Sequence, residues 1–272
     1  MFQKSCTETR RDVAELGYEH TGHALINLAS HSVGLENHKM AERNCRPREA
    51  NDESMREKIV IWGASSQALI IADIIRSQDD YEIVGFLDSV NPERTGTEFL
   101  GAPILGGEEQ LDILLRQGVK QLIVGIGSGH SRLRLADSVR SHGYQLATTI
   151  HPRAIVAADV SIGAGTVIMA GVVVNPGAKV GDNVIISTCA SVEHECTIAD
   201  GATISAGVHM GGRVSVERAA TLEIGATVAR RIRIGAGSVV GAGSVVLHDV
   251  PDGVLAFGTP ARVIRTISGY DY

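Results

Sequence analysis

His194 and Glu195, adjacent within Val192-Glu-His-Glu-Cys196, are well suited to proton transfer near neutral pH. An imidazole, with a reference pKa near 6.5, can take a proton from a nucleophile as a new bond forms. A neighbouring carboxylate can hold the ring in one orientation and stabilise the imidazolium. On residue type alone, His194 reads either as such a base or as a solvated histidine. Glu195 reads either as its orienting partner or as a structural partner of Arg213, eighteen residues on. An exposed ion pair of that kind contributes only about 0–1 kcal/mol.

A second group of residues suits phosphate. Gly63-Ala-Ser-Ser-Gln-Ala68 closes an apolar run and opens a helical one. A helix N-terminus there offers backbone N–H groups to an anion, and Ser65, Ser66 and Gln67 can add side-chain bonds. Asp88, after the next apolar run, stands where an acid contacts a ribose in nucleotide-binding folds. The turn lacks the later glycines of G-x-G-x-x-G, so a dinucleotide reading is weak. The alternative is a packing domain with a capped helix. Arg132, after Gly125-Ile-Gly-Ser-Gly129, either binds substrate or anchors its loop.

Metal chemistry finds little support. Within the stretch 150–246 the histidines are His151, His194 and His209, at spacings that do not match the repeat described below, so no zinc site is expected. Cys6, Cys45, Cys189 and Cys196 form no C-x-x-C pair. They read as reduced thiols of a cytoplasmic protein.

The elements that must position these groups follow from periodicity. Residues 1–57 are polar and aperiodic and hold His20, His23, His31 and His38. They read as a disordered leader, of which residues 1–54 are expected to be dispensable for fold and activity. Over 58–149, apolar runs (58–62, 82–87, 103–105, 121–125) alternate with helical patterns (68–76, 108–117, 132–141). That alternation predicts βαβ units and a Rossmann-like parallel sheet, at half the usual size.

From Ile150 to Val246 every sixth residue is aliphatic or methionine without a break. Neither a helix nor an ordinary strand has that period, whereas a hexapeptide β-helix does. Three hexapeptides make an eighteen-residue triangular coil, and coils stack at about 4.8 Å. Such a prism is narrow, which accounts for the absence of aromatics between Tyr144 and Phe257. Coil arithmetic then puts Gly212 beside His194 and Arg213 beside Glu195. Residues 251–272, with Pro251, Gly253 and Pro260, read as a loop and tail that leave the prism and fold back.

Composition bounds the remainder. A net charge of −6 argues against nucleic-acid binding. No apolar run approaches the roughly 18 residues of a membrane span, and no secretory h-region is present.

The hexapeptide array followed by Gly258-Thr-Pro-Ala-Arg262 resembles the left-handed β-helix acyltransferases. With the N-terminal βαβ unit, Ile150-His-Pro-Arg-Ala154 and Val192-Glu-His-Glu-Cys196, the chain resembles the NeuD/PglD type of sugar acetyltransferase over residues 58–266. The resemblance implies an N-terminal sugar-nucleotide domain at 58–149, a left-handed coil over 150–250, and a homotrimer. It also implies acetyl-CoA between adjacent prisms and the sugar near the N-terminal domain. His194 would be the base and Glu195 its partner, with Thr203, Gly212, Ile224 and Ala242 against acetyl-CoA. Ser65, Ser66, Gln67, Asp88 and Arg132 would face the acceptor.

The implied activity is acetyl-CoA-dependent N-acetylation of a nucleotide-linked amino sugar for a surface glycan. O-acetylation of a sialic-acid-type sugar and a non-catalytic trimeric scaffold are the alternatives. Two departures stand out. Thr203 replaces a histidine common in that family, and Glu217 and Glu223 occupy places where the hexapeptide prefers glycine.

Overall fold

The computed structural model describes residues 56–267. The expected leader lies outside these residues except at its end, where β1 (Glu57–Trp62) begins one residue earlier than expected. The apolar runs form β1, β2 (Tyr81–Leu87), β4 (Ala102–Gly106) and β5 (Gln121–Val124), joined by short β3 (Glu98–Phe99) and β6 (Gln145–Leu146). The sheet order is β3-β4-β2-β1-β5-β6, and all pairings are parallel except β3 with β4.

Helix α1 (Ser66–Gln78) covers one face of this sheet, burying Ala68, Ile71, Ala72 and Ile75 against Ile59, Ile61 and Phe86. Helices α2 (Leu111–Arg116) and α3 (Gly129–Ser141) cover the other, with Leu111, Leu114, Ala136 and Val139 against Val60, Trp62, Leu122 and Val124. The expected helix over 108–117 is shorter, because Glu108–Gln110 forms a 3-10 turn before α2. At the end of β1, Gly63 has φ +131°, and a Cβ there would lie 2.5 Å from the Gly125 carbonyl oxygen. Only glycine lets the ends of β1 and β5 approach so closely.

The hexapeptide stretch forms two-residue strands six residues apart, from β7 (Thr149–Ile150) to β23 (Val245–Val246). Every third strand pairs in parallel, which builds three flat faces. The first runs from β7 to β22 (Val239–Val240), the second from β8 (Ile155–Val156) to β23, and the third from β9 (Ser161–Ile162) to β21 (Arg233–Ile234). Partners stand one coil apart, as Val167 with Ile185 and Val174 with Val192. The inward column, including Ile168, Ile186, Ile204, Met210 and Leu222, is buried, with small Ala178, Ala190, Cys196 and Ala202 between.

The C-terminal stretch corrects the expectation of a plain loop. β24 (Val254–Gly258) pairs in parallel with β22 and extends the first face, and β25 (Ala261–Thr266) returns antiparallel to it. Buried Val254 and Ala256 extend the apolar column past the last hexapeptide.

Sheet and prism share a core. Val167, Met169 and Ile185 of the first face belong to the apolar cluster under α1. On α3, Gly129 and Leu133 lie over Gly201, where a Cβ on Gly129 would come within 2.3 Å of the Gly201 oxygen. Arg132 completes the joint at 0% exposure. Its Nε donates to the Asn183 oxygen at 2.7 Å, and Nη1 to the Ile126 and Gly127 oxygens at 3.0 and 2.8 Å. Its Nη2 donates to the Gly201 and Ala202 oxygens and to Thr203 Oγ1 at 2.9, 3.2 and 3.2 Å. Burial lowers the guanidinium to about 10, still cationic at neutral pH.

Because these acceptors would be left without their donor, Arg132→Met should cost about 3 kcal/mol or more. A fall in the denaturant midpoint measures it. Arg132→Lys should recover only part, since an ammonium lacks the planar fork.

Candidate active site

The corner between β14 (Ser191–Val192) and β15 (Thr197–Ile198) carries His194 and Glu195. Val192 and Ile198 turn into the core, and the residues 193–196 between the two strands make the bend. Glu195 adopts φ +57° at the turn, and its N–H is held by the Pro176 oxygen one coil below. The two side chains project outward and are about half exposed in the single chain.

His194 Nδ1 lies 3.0 Å from Glu195 Oε2. A carboxylate there makes Nδ1 the donor and leaves Nε2 as the basic nitrogen. Arg213, one coil above, donates from Nε to the same Oε2 at 2.9 Å. Glu195 therefore contacts both His194 and Arg213. Hydrogen bonds from Arg213, and then from His194, hold the Glu195 carboxyl below the usual range, so it is a carboxylate at neutral pH.

Gly212 sits over the imidazole. A Cβ on it would lie 2.5 Å from Nε2. The absent side chain is thus the space beside the basic nitrogen. The Gly212 N–H, between the paired Gly211 and Arg213 N–H groups, makes no backbone bond among the described residues. The site offers a base, its orienting carboxylate, an adjoining space and an unused N–H donor. These are the parts that acyl transfer requires.

The other expected acyl-donor contacts lie elsewhere on the prism. Ile224, 62% exposed, and Ala242 stack on the corner between the first and second faces. Thr203 lies in β16 (Thr203–Ile204) on the first face and accepts from Arg132. One chain therefore does not bring Thr203, Gly212 and Ile224 together. Arg132 also departs from the acceptor-binding expectation. All its guanidinium N–H groups are taken by protein acceptors, so it is the anchor of the two alternatives.

The N-terminal sheet has its own pocket, of about 660 Å³, outside the carboxyl ends of β1 and β2. Ser65 and Asp88 line it, with Gly63, Asn91, Arg94 and Arg134. Ser65 is the α1 N-cap and makes no side-chain capping bond. Ser66 is exposed, and Gln67 Nε2 is buried without a partner; neither residue lines this pocket.

Asp88 is 7% exposed and accepts from the Val90 and Asn91 N–H groups, Asn91 Nδ2 and Arg94 Nη1. Burial would raise its carboxyl, but these bonds, led by the Asn91 side chain, outweigh it and hold the group low. Asp88 thus shapes the pocket loop. Arg94, paired with Asp88, and Arg134 bring guanidinium groups to this pocket, and neither was singled out from the sequence.

A smaller pocket, of about 240 Å³, lies between the start of α3 and the first face of the prism. Thr203 lines it together with His130, Ser205, Thr221 and Glu223. Thr203 and Glu223, two of the departures noted in the sequence, both fall in this pocket. Among the described residues no His, Cys, Asp and Glu cluster could hold a metal ion, and no helix is long and apolar enough to cross a membrane.

Comparison with known proteins places the chain. The model of the PglD N-terminal domain matches residues 58–139. The GDP-perosamine N-acetyltransferase PerB from Caulobacter crescentus, solved with CoA and GDP-perosamine, is 36% identical. The alignment covers 76% of this chain and 97% of that one, at a TM-score of 0.73. The acetyltransferase domain of PglB from Neisseria gonorrhoeae FA1090, solved with acetyl coenzyme A, is 30% identical over 77% of this chain and 100% of that one, at a TM-score of 0.72.

Matches to curated relatives are local. Galactoside O-acetyltransferase from Lactococcus lactis is 55% identical over 38 residues, 14% of this chain and only 18% of that protein's length. Agreement with PerB and PglB runs through sheet and prism alike, and the coil is accordingly a left-handed parallel β-helix. The chain therefore belongs to the NeuD/PglD type of sugar acetyltransferases, in which a PglD N-terminal domain precedes a hexapeptide-repeat coil.

Proposed function

We propose that this protein transfers the acetyl group of acetyl-CoA to the amine of a nucleotide-linked amino sugar, with His194 as base. The observation that carries the reading is the His194–Glu195 pair at 3.0 Å with Nε2 facing the space over Gly212. The PerB complex with CoA and GDP-perosamine supports the substrate classes. As the amine attacks the thioester carbonyl, Nε2 takes its proton. The charge that develops on the carbonyl oxygen is met by the Gly212 N–H. Collapse of the tetrahedral intermediate breaks the C–S bond, and the departing thiolate regains the proton from the imidazolium. Glu195 keeps the ring oriented and offsets its transient charge, and Arg213 keeps Glu195 in place.

The separation of Gly212, Ile224 and Thr203 around the prism supports a homotrimer in which acetyl-CoA lies between neighbouring coils. One copy supplies His194 and Gly212, and another supplies Thr203 and the corner of Ile224 and Ala242. The 660 Å³ pocket with Ser65 and Arg94 takes the nucleotide. The product is an N-acetylated sugar nucleotide for a surface glycan made in the cytoplasm.

The test is thiol release from acetyl-CoA with GDP-, UDP- and dTDP-linked 4-amino sugars as acceptors. Release that depends on the acceptor is expected, and its absence with every acceptor would overturn the reading. His194→Ala should lower kcat by roughly 10²–10⁴-fold. Gly212→Ala, which puts a methyl against Nε2, should lower it by about 10²-fold while thermal unfolding stays near that of the parent.

A further inference from the structure

We infer that Glu223 selects an amine over a hydroxyl in the acceptor, in a subsite for the sugar ring on the first face of the prism. This rests on the sugar acetyltransferase reading above. The 240 Å³ pocket is smaller than the about 300–1,000 Å³ of sites that enclose whole drug-sized ligands, which suits one sugar ring. Its wall combines hydroxyls of Ser205 and Thr221 with apolar Ala219, Val239 and Ile267. A pyranose presents the same mixture of hydroxyl edges and apolar ring faces.

The carboxylate gives the pocket its charge preference. Glu217 and Glu223 occupy equivalent places in successive hexapeptides. Glu217 pairs with Arg233 Nε at 3.2 Å, which explains it structurally. The Glu223 side chain is half-buried and its carboxylate makes no hydrogen bond or ion pair among the described residues, although nothing in the repeat asks for an acid there. The His130 imidazole lines the same pocket without a hydrogen-bond partner among the described residues. A half-buried carboxylate facing a ligand cavity favours the ammonium form of an amino sugar over a neutral hydroxyl, because the bond it makes to the ammonium joins opposite charges.

The place of the pocket fits an acceptor subsite. Residues 127–130, which open α3, line it, while Ile126, Ser131 and Arg134 from the same stretch line the 660 Å³ pocket. The first face does not include the His194 corner, so an amine held by Glu223 meets the base of a neighbouring copy. Glu223 is thus a specificity residue on the acceptor side, separate from the proton-transfer pair.

Calorimetric titration of the full chain with pairs of nucleotide sugars tests this. Each pair carries an amine or a hydroxyl at C4, as in GDP-perosamine and GDP-rhamnose, with UDP- and dTDP-linked pairs alongside. The parent should bind the amine member more tightly. Glu223→Gln should weaken amine binding by about ten- to a hundredfold and leave the hydroxyl member and acetyl-CoA within twofold. Glu217→Gln, the control at the equivalent repeat place, should keep the preference.

In turnover, Glu223→Gln should raise the KM of the amine acceptor more than it lowers kcat. A parent without amine preference in every pair, or a Glu223→Gln variant that retains it, overturns the inference. If no acceptor supports CoA release yet the Glu223-dependent preference is seen, the transferase reading fails and the amine subsite stands.

Discussion

A prism one side chain wide has room for a single aliphatic per hexapeptide, and that column stacks each coil on the next with residues eighteen apart in register. The buried column binds coil to coil through apolar contact, and the parallel backbone bonds of the three faces fix the angle between them. Every outward residue then inherits its neighbours from the count alone. Gly212 lies over His194, and Arg213 reaches Glu195, because one coil separates each pair. A change in coil length between 192 and 216 would break the site without touching any of its chemical groups.

The second constraint is how the N-terminal sheet sits on the first face. The contact under α1 is apolar and non-directional, so it supplies adhesion without a unique angle. Arg132 supplies the direction. Its planar fork needs carbonyls from the Gly127 loop and from two coils of the prism at once, and only one docking angle presents them together. Gly129 permits the helix to approach the Gly201 oxygen that this geometry demands. The start of α3 is held in this way against Thr203 and Thr221, so the same clamp that joins the two parts also forms the wall of the smaller pocket.

What the sequence disclosed follows from these two kinds of contact. Periodicity reports one-dimensional order, so the coil, its inward column and the stacking of Gly212 and Arg213 on the dyad were legible at residue level. The alternation of apolar runs and helical patterns likewise disclosed β1, β2, β4 and β5. Contacts between distant elements have no period. Nothing in Gly129-His-Ser-Arg132 announces that its arginine is wholly buried against Asn183 and Gly201, and the same residue type in a glycine-rich loop reads equally well as a ligand contact. Asp88 was placed correctly at the end of β2, but its carboxylate is occupied by Asn91 and Arg94, six residues or fewer away, in a loop with no repeating pattern. β24 was missed because the hexapeptide register stops before it, although Val254 and Ala256 still fill the column.

Glu195 shows why the dyad needs the prism on both sides. In an isolated histidine–glutamate dipeptide both side chains would rotate freely in water, and ordering them would cost side-chain entropy. Here the left-handed turn at Glu195 is fixed by the Pro176 oxygen from below, and its carboxylate is tethered by Arg213 from above. That order is therefore set largely by backbone stacking, and the His194 bond is made to a partner already in place. The arginine also helps keep Glu195 ionised, and a carboxylate at that place makes Nδ1 the donor and leaves Nε2 turned toward the open side. A neighbouring prism packed over this corner would remove water from all three groups and strengthen their mutual attraction. The order of the three groups is thus already present in the single chain, although their side chains stand about half exposed.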